Sequence, residues 1–369
     1  MAIGFPSSLI PDAKSYYVQA GGNMYLAAYG LFANNATFNS PVTIGDNVAY
    51  CANMFQNAQA FNQPVKMGNN ILNCAYMFHN AQAFNQPVNL PDTVTNCPSL
   101  FNNAISFNQP VNLPNSITSV STMFMNARSF NQPVNIPQGV TMCAGMLNGA
   151  QAFNQPVTIP NGAYRVDFMF AYTNSFNQPV TIPDNVNQVQ SMFQNAQAFN
   201  QPVVIPNTPT MCTCNNMFTN ATAMNSPVTI GVNANSCAAM FMNATAFNAP
   251  VTMYGGVNYA AMFDRATAFN QPINIPNTVN NYSRMFNNAS SFGSDIFIYT
   301  TDTAINVQGF LSKTNVSLRK NIHCNSVMGG IFAASTITSP DASTWTPIGD
   351  GNGYCNTVFN IYVYNNLPV

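Results

Sequence analysis

Apolar and polar residues recur along this chain with a nearly constant period, which one aromatic position marks. We call this position the clock residue. The numbers of successive clock residues differ by 23 seven times, and then by 25, 23, 22 and 23. A fixed period of about 20 to 50 residues is typical of a solenoid, in which each unit buries its apolar face only by stacking on the next. The clock residues are Phe38, Phe61, Phe84, Phe107, Phe130, Phe153, Phe176, Phe199, Met224, Phe247, Phe269 and Phe292.

The consensus M-F-x-N-A-x-x-F-N-Q-P-V-x-I-P predicts the local structure of each repeat. Its V-x-I segment alternates apolar and polar residues, as a β-strand does, so the two apolar side chains face the same side. Pro follows this segment in most repeats and should end the strand, because it has no backbone N–H to donate. The M-F-x-N-A segment is long enough for only one helical or 3₁₀ turn.

The period and the single strand per repeat predict a mainly β repeat solenoid, with right-handed 23-residue coils, one parallel sheet and terminal caps. We expect an N-terminal cap or anchor at residues 1–30 and a solenoid of about twelve 23-residue repeats at residues 31–300. A degenerate last coil and a β-rich C-terminal cap should occupy residues 301–369. Caps are needed because the open ends of a solenoid would expose strand edges.

Two polar registers accompany the apolar pattern. Asn follows the clock residue in eleven repeats, where its amide can satisfy backbone groups of the turns coil after coil. The residue between V and I faces outward and should form a polar stripe. This stripe is either a solvated sheet face or a recognition surface for sugars or another protein. The candidate binding residues are the stripe positions Lys66, Asn89, Asn112, Asn135, Thr158 and Thr181, with the adjoining Gln63, Gln86, Gln109, Gln132, Gln155 and Gln178.

Six of the nine cysteines share one register, four residues before the second residue of the M-F pair. Val occupies the same slot in other repeats, as at Val120, so the slot is a small apolar site and its cysteines should be buried, reduced packing thiols. Cys212 and Cys214 form a C-x-C in the 25-residue repeat, which we interpret as a local bulge. The in-register cysteines are Cys51, Cys74, Cys97, Cys143, Cys214 and Cys237.

Composition narrows the possible partners. Only 5% of the residues are charged and the net charge is −1, with no basic run. Nucleic acid is therefore excluded as an expected partner, because binding to its phosphates depends on clustered Lys and Arg. No segment has the ~18 consecutive apolar residues of a membrane span, so we expect no membrane insertion. The N-terminus also lacks the features of a signal peptide, so we expect the chain to leave a cytosol inside a particle, or to have lost a signal.

Chemical motifs are scarce in this sequence. It has two His and ten acidic residues, all of them Asp, and no phosphate loop, H-E-x-x-H or G-x-S-x-G motif. Asp167 and Asp184 fall on neighbouring repeats but at different registers, which does not suit the paired carboxylates of a glycosidase. We therefore expect no catalytic residues, no metal site and no cofactor. Unique polar residues collect from Asp264 onward, so partner-specific chemistry is expected in the non-repeating ends.

The repeat resembles two related bacterial patterns. Its I-P-x-x-V-x-x-C segment resembles the BspA-type leucine-rich repeat, and M-F-x-N-A-x-x-F-N-Q resembles the bacterial surface-protein repeat. The chain departs from the second pattern, since it lacks the strand Trp, has a shorter period, and has Pro after the Gln. The resemblance covers roughly residues 28–300 and implies leucine-rich-repeat-like coils that act as adhesion or interaction modules on cell, phage or parasite surfaces.

These observations together favour a non-enzymatic structural and recognition protein on a virion surface, such as a phage head or tail fibre or a decoration protein. Its partners would be other virion proteins or a host surface receptor, either protein or glycan, and it could form a homo-oligomer. The alternatives are an extracellular bacterial cell-surface adhesin and an enzyme that acts on polysaccharide. Carboxylates paired across a cleft would favour the enzyme.

Overall fold

A computed structural model gives the fold of the chain. It describes residues 16–20, 23–208, 210–298, 305–314, 320–324, 346–347, 353–355 and 359–363. Most of the expected caps at 1–30 and 301–369 lies outside these residues. The chain divides into two compact units, Met1–Pro183 and Asp184–Val369, which we call the N-terminal and C-terminal units.

The described residues form β-strands and turns, and no helix. The strands are β1 (Tyr16–Ala20), β2 (Asn23–Ala27), β3 (Val42–Thr43), β4 (Val48–Tyr50), β5 (Val65–Lys66), β6 (Val203–Ile205), β7 (Cys212–Thr213), β8 (Val228–Ile230), β9 (Ala234–Ser236), β10 (Val251–Met253), β11 (Ile273–Ile275), β12 (Ile296–Ile298), β13 (Lys320–Cys324), β14 (Thr346–Pro347), β15 (Gly353–Cys355) and β16 (Phe359–Val363).

In the N-terminal unit, parallel pairing joins equivalent residues of successive coils. Strand β3 pairs with β5, with Val42 opposite Val65. Just before the cysteine slot, single bridges connect Tyr50 to Asn73 and Asn73 to Asn96. Strand β2 pairs with β4 in parallel and with β1 antiparallel, so a hairpin stands before the first coil. The predicted parallel solenoid with a 23-residue repeat is thereby confirmed.

The V-x-I ladder is interrupted where proline follows it. In the C-terminal unit the residue after a V-x-M segment, Tyr254, donates its backbone N–H to the carbonyl oxygen of Ile230, in the preceding coil, at 3.0 Å. Proline at that position cannot make this bond. Five consecutive V-x-I/L segments of the N-terminal unit carry this proline and form no strand. The prolines are Pro91, Pro114, Pro137, Pro160 and Pro183.

The M-F-x-N-A segment and the residue before it form successive turns and no helix. Asn53 and Asn57 have φ of 58° and 60°, in the left-handed region. Their backbone N–H groups donate to the next coil, to the carbonyl oxygens of Ala75 at 2.9 Å and His79 at 2.8 Å. The N–H groups of Gln56 and Ala58 instead donate within the coil, to the carbonyl oxygens of Asn53 and Phe55, so bonds between coils alternate with single turns inside one coil. Asn adopts positive φ more readily than most residues, which explains the Asn of the consensus.

Stacked phenylalanines fill the core of the coils. The clock residue Phe107 stacks on Phe101 of its own coil, with ring centroids 3.9 Å apart, and on Phe84 of the preceding coil at 6.0 Å. All three rings are fully buried. Offset stacked rings attract each other beyond the burial of their area, so the column links each coil to its neighbours. The same arrangement recurs in the C-terminal unit at Phe241, Phe247, Phe263 and Phe269.

The C-terminal unit repeats the coil and ends in a mixed sheet. Strands β6, β8 and β10 form a parallel sheet, and β11, β12, β13 and β16 form another that β15 and β14 extend antiparallel. Phe310 and Leu311 are buried, and the backbone N–H of Phe286 donates to Phe310 at 2.9 Å. Residues 305–314 therefore stack as one further coil on the coil of Phe286.

The cysteines whose side chains are described are buried and free. The Sγ atoms of Cys212 and Cys214 lie 3.7 Å apart, well beyond the ~2.05 Å of a disulfide. The pairing of β7 with β9 shifts register between Cys212 and Thr213, so the predicted bulge is present. The prediction of buried, reduced packing thiols in the shared slot is confirmed.

Candidate recognition surface

The outward stripe of the N-terminal unit is exposed at every coil from Lys66 to Thr181. The valines that precede the stripe residues are buried, with exposed fractions of 2% at Val88 and 4% at Val111. Alternation along each segment therefore fixes the direction of the stripe side chains, even in the coils without a strand ladder. The exposed residues are Lys66, Asn89, Asn112, Asn135, Thr158 and Thr181.

Equivalent groups of adjacent coils stand roughly 4.8 Å apart, because that is the spacing of parallel β-coils. Asn89, Asn112 and Asn135 therefore present three identical amides in a row. Each amide offers donors and an acceptor to one ligand. Such a row suits a ligand with its own repeat, such as a linear glycan or an extended peptide. It has no group that could act as a nucleophile, acid or base.

The glutamines beside the stripe are held by a different set of contacts. Asn85 Oδ1 accepts the backbone N–H of Asn108 at 2.9 Å and the side-chain N–H of Gln109 at 3.2 Å. This pattern repeats from coil to coil and confirms the predicted structural role of the Asn after the clock residue. The glutamines whose side-chain N–H groups are used in this way are Gln86, Gln109, Gln132, Gln155 and Gln178. Gln63 is half-buried.

In the C-terminal unit the residues at the stripe position are not all polar. Val204 stands 60% exposed in the outward position of β6. Further along, the rings of Phe297 and His323 stack on adjacent strands with centroids 4.5 Å apart. The His323 side chain lies 3.7 Å from the carboxylate of Asp295. The C-terminal unit keeps polar residues at this position in Thr229, Thr252 and Asn274, but Val204 and Phe297 interrupt the row.

The acidic residue considered for catalysis is already paired. Asp167 is buried, and Arg165 donates to its two carboxylate oxygens at 3.1 and 3.0 Å. This hydrogen bonding raises the pKa of Arg165. Asp184 belongs to the other unit. A fully paired carboxylate is not available as a general acid or base, so the Asp167 side chain acts in local structure.

A polar cavity of about 550 Å³ lies in the C-terminal unit, at residues that the sequence does not mark as one site. Three of its lining residues are the cations Arg265, Arg284 and Lys313. The higher charge after Asp264 is visible in the sequence, but the sequence does not bring these three residues together, because they lie on three different coils. The available signal was the replacement of the consensus Asn of M-F-x-N-A by Arg265 and by Lys313.

Parallel coils with a period of about 23 residues, stacked phenylalanines and turns of positive φ define a leucine-rich-repeat-like β-solenoid of about twelve turns. The chain belongs to the family described as Mycoplasma protein of unknown function, DUF285. The family profile matches residues 23–89, 67–159, 137–231, 162–254 and 231–323.

Two solved structures are similar to this fold. A leucine-rich repeat protein from Bacteroides ovatus superposes with a TM-score of 0.54 at 15% identity, over 88% of this chain and 89% of that protein. A leucine rich cell surface protein from Faecalibacterium prausnitzii gives a TM-score of 0.50 at 16% identity, over 84% and 86% of the two chains. A comparison with curated proteins gives no significant match.

Among the described residues, no helix is long and apolar enough to cross a membrane. Within the same ranges, no three His, Cys, Asp or Glu side chains are grouped as metal ligands.

Proposed function

We propose that this chain is a non-enzymatic recognition protein of a cell exterior, and that the outward stripe of its N-terminal unit contacts the partner. One observation carries the proposal: exposed, mostly uncharged polar side chains stand at the same position of six successive coils, from Lys66 to Thr181. A solvated face needs no such uniformity, whereas a surface that binds a repeating ligand gains from it. The partner class is a linear glycan or an extended protein segment on another cell.

The proposed location rests on a comparison with a solved structure. The Faecalibacterium protein is described as a cell surface protein, which favours the cell-surface alternative over a virion location. No comparison supports a role in a phage particle. Immunogold labelling of producing cells and of virus particles purified from them separates the two locations. Label on particles alone would contradict the cell-surface proposal.

The test of the stripe uses charge at matched positions. The variant Asn89→Lys, Asn112→Lys, Asn135→Lys places three cations along the stripe. A control variant places three lysines at the exposed positions Gln82, Ser129 and Gln151, in the turns before the clock residues. Labelled proteins are applied to a glycan panel and to bacterial and animal cells.

We expect the stripe variant to lose at least tenfold in affinity for whatever the wild type binds, and the control to stay within about twofold. Both variants should unfold at the urea concentration of the wild type, because all six positions are exposed. Equal binding by the stripe variant and the wild type would refute the proposed surface. Turnover of a polysaccharide by the wild type would refute the non-enzymatic assignment.

A further inference from the structure

The polar cavity of the C-terminal unit concentrates positive charge in a chain that has very little. Its lining includes three of the nine Lys and Arg residues of the whole sequence: Arg265, Arg284 and Lys313. The remaining lining residues are Gly309 and hydrogen-bonding side chains without charge. These are Ser283, Asn287, Asn288, Asn306, Gln308 and Ser312.

One carboxylate lies beneath this lining and is fully engaged. Asp264 is 1% exposed, and its two oxygens accept from Arg284 and from the Asn287 amide, both at 2.8 Å. This ion pair positions Arg284, whose side chain remains 57% exposed. Three cations and one carboxylate leave a net charge of +2 at the cavity.

All three cations lie on left-handed backbone, Arg284 with a φ of 56°. Arg265 and Lys313 have φ of 59° and 56° and occupy the position of the consensus Asn in M-F-x-N-A. The left-handed conformation is sterically unfavourable for long side chains, whereas Asn and Gly tolerate it best. The repeat imposes this conformation, since Gly149 and Tyr172 share it at the same position, so Arg265 and Lys313 are exceptions in residue type and not in backbone. The coils that keep Asn here do so at Asn34, Asn57, Asn80, Asn103, Asn126, Asn195, Asn220, Asn243 and Asn288.

At the consensus Asn position, side-chain amides of successive coils bond to one another, and this amide ladder ends before Arg265. Asn243 Nδ2 donates to Asn220 Oδ1 at 2.9 Å, and Asn220 donates to Asn195 at 3.1 Å. The next coil then presents Arg265, and Lys313 follows two coils later. Two coil spacings put their backbones roughly 9.6 Å apart. A ligand with two anionic groups at about that separation would reach both cations.

We propose that this cavity binds an acidic carbohydrate, that is, an oligosaccharide with carboxylate or sulfate groups. Guanidinium groups pair with planar or tetrahedral oxyanions, and the amides and hydroxyls match the hydroxyls of sugar rings. The lining has no aromatic or aliphatic side chain, so it lacks the platforms on which nucleic-acid bases stack. The site lies in a different unit from the stripe, so it does not depend on the stripe function.

The test replaces the cations by the residue that the repeat itself uses. The variant Arg265→Asn, Lys313→Asn removes two positive charges and restores the consensus Asn at both positions, so the fold should be retained or stabilised. Arg128→Asn, at an exposed position of the N-terminal unit, is the control for lost charge. The probes are a sulfated hexasaccharide, a neutral hexasaccharide and inorganic phosphate, measured by isothermal titration calorimetry with the full chain.

We expect the sulfated hexasaccharide to bind the wild type, the double variant to bind it at least tenfold more weakly, and Arg128→Asn to bind within about twofold of the wild type. The neutral hexasaccharide should not bind, and phosphate should bind at least 100-fold more weakly. Wild-type affinity in the double variant, or no binding by the wild type, would overturn the proposal. Phosphate binding as tight as that of the sulfated probe would overturn the carbohydrate assignment.

Discussion

Asn108 accepts the backbone N–H of Asn131 through its side-chain oxygen Oδ1, at 2.9 Å. The same oxygen accepts the side-chain N–H of Gln132 at 3.2 Å. One side chain thus joins two consecutive coils at the turn after the clock residue. Because every bond of this type reaches the next coil, the asparagines stabilise the stack and not the single repeat.

The first prediction concerns this bond. Asn108→Ala leaves the Asn131 N–H without its acceptor, so the free energy of unfolding should fall by about 1–3 kcal/mol in a urea titration. Asn108→Asp keeps an acceptor oxygen and should lose less. Asn112→Ala, four residues along on the exposed stripe, should change stability by no more than about 0.5 kcal/mol. A loss at Asn112 equal to that at Asn108 would contradict the ladder.

The second prediction uses two adjacent alanines with opposite backbone preference. Ala261 has a φ of 54°, whereas Ala260 is not among the residues of positive φ. Ala261→Gly relieves the contact of Cβ in the left-handed region and should raise stability by up to about 1 kcal/mol. Ala260→Gly only adds freedom to the unfolded chain and should lower stability by about 0.5–1 kcal/mol. The two effects, measured by urea unfolding, must differ in sign.

The third prediction concerns the buried thiols and pH. Burial raises the pKa of Cys143 from 9.0 to about 12. Between these values the unfolded chain loses the thiol proton while the folded chain keeps it, so stability falls as pH rises, by about 1.4 kcal/mol per pH unit for one thiol. Cys143→Val should remove this contribution, and the slope of unfolding free energy against pH above pH 9 should become shallower.

The matched variant adds a thiol at the same slot of another coil. Val120→Cys should make the unfolding free energy fall more steeply with pH above pH 9. The added slope should correspond to one more proton, because Val120 is fully buried. The native thiols should also react slowly with a labelling reagent at neutral pH. Rapid labelling of the folded wild type would show that the slot is open to solvent.

The fourth prediction concerns the stacked phenylalanines. Phe124 is fully buried and stacks on Phe130 of its own coil at 4.0 Å. Phe124→Ala should cost about 3–5 kcal/mol through the cavity it leaves. Phe124→Leu should cost less than half of that, because the next coil has Leu147 at the equivalent position. Urea unfolding measures both, and equal losses would mean that ring stacking and not volume determines the stability.

The repeat and its buried registers can be read from the amino-acid sequence. The period, the clock phenylalanines and the slot shared by Cys143 and Val120 are visible without a structure, because burial in a solenoid imposes the same residue types at the same place in each coil. The exposure of Asn89 and Asn112 also followed from strand alternation, which depends only on the chain's own geometry. Whether that stripe binds a partner stays a prediction.

The hydrogen bonds that join the coils became visible only in the folded structure. The pattern M-F-x-N-A gives no sign of φ, so it does not predict the left-handed residues Asn53 and Asn57 or their bonds to the next coil. Proline ends strands β6 and β11, as expected, but the N–H that it lacks would reach the preceding coil, and five successive coils with this proline form no strand. The contact of Gln109 with Asn85 likewise depends on the exact register between coils.

The cationic cavity also arises from the stacking of coils. Arg265, Arg284 and Lys313 are far apart in the sequence, yet they line one cavity. The repeat period shows that Arg265 and Lys313 occupy equivalent positions. It does not show that Arg284, at a different position of the repeat, faces the same side of the coil. The path of the backbone between the two registers determines which positions lie on the same side.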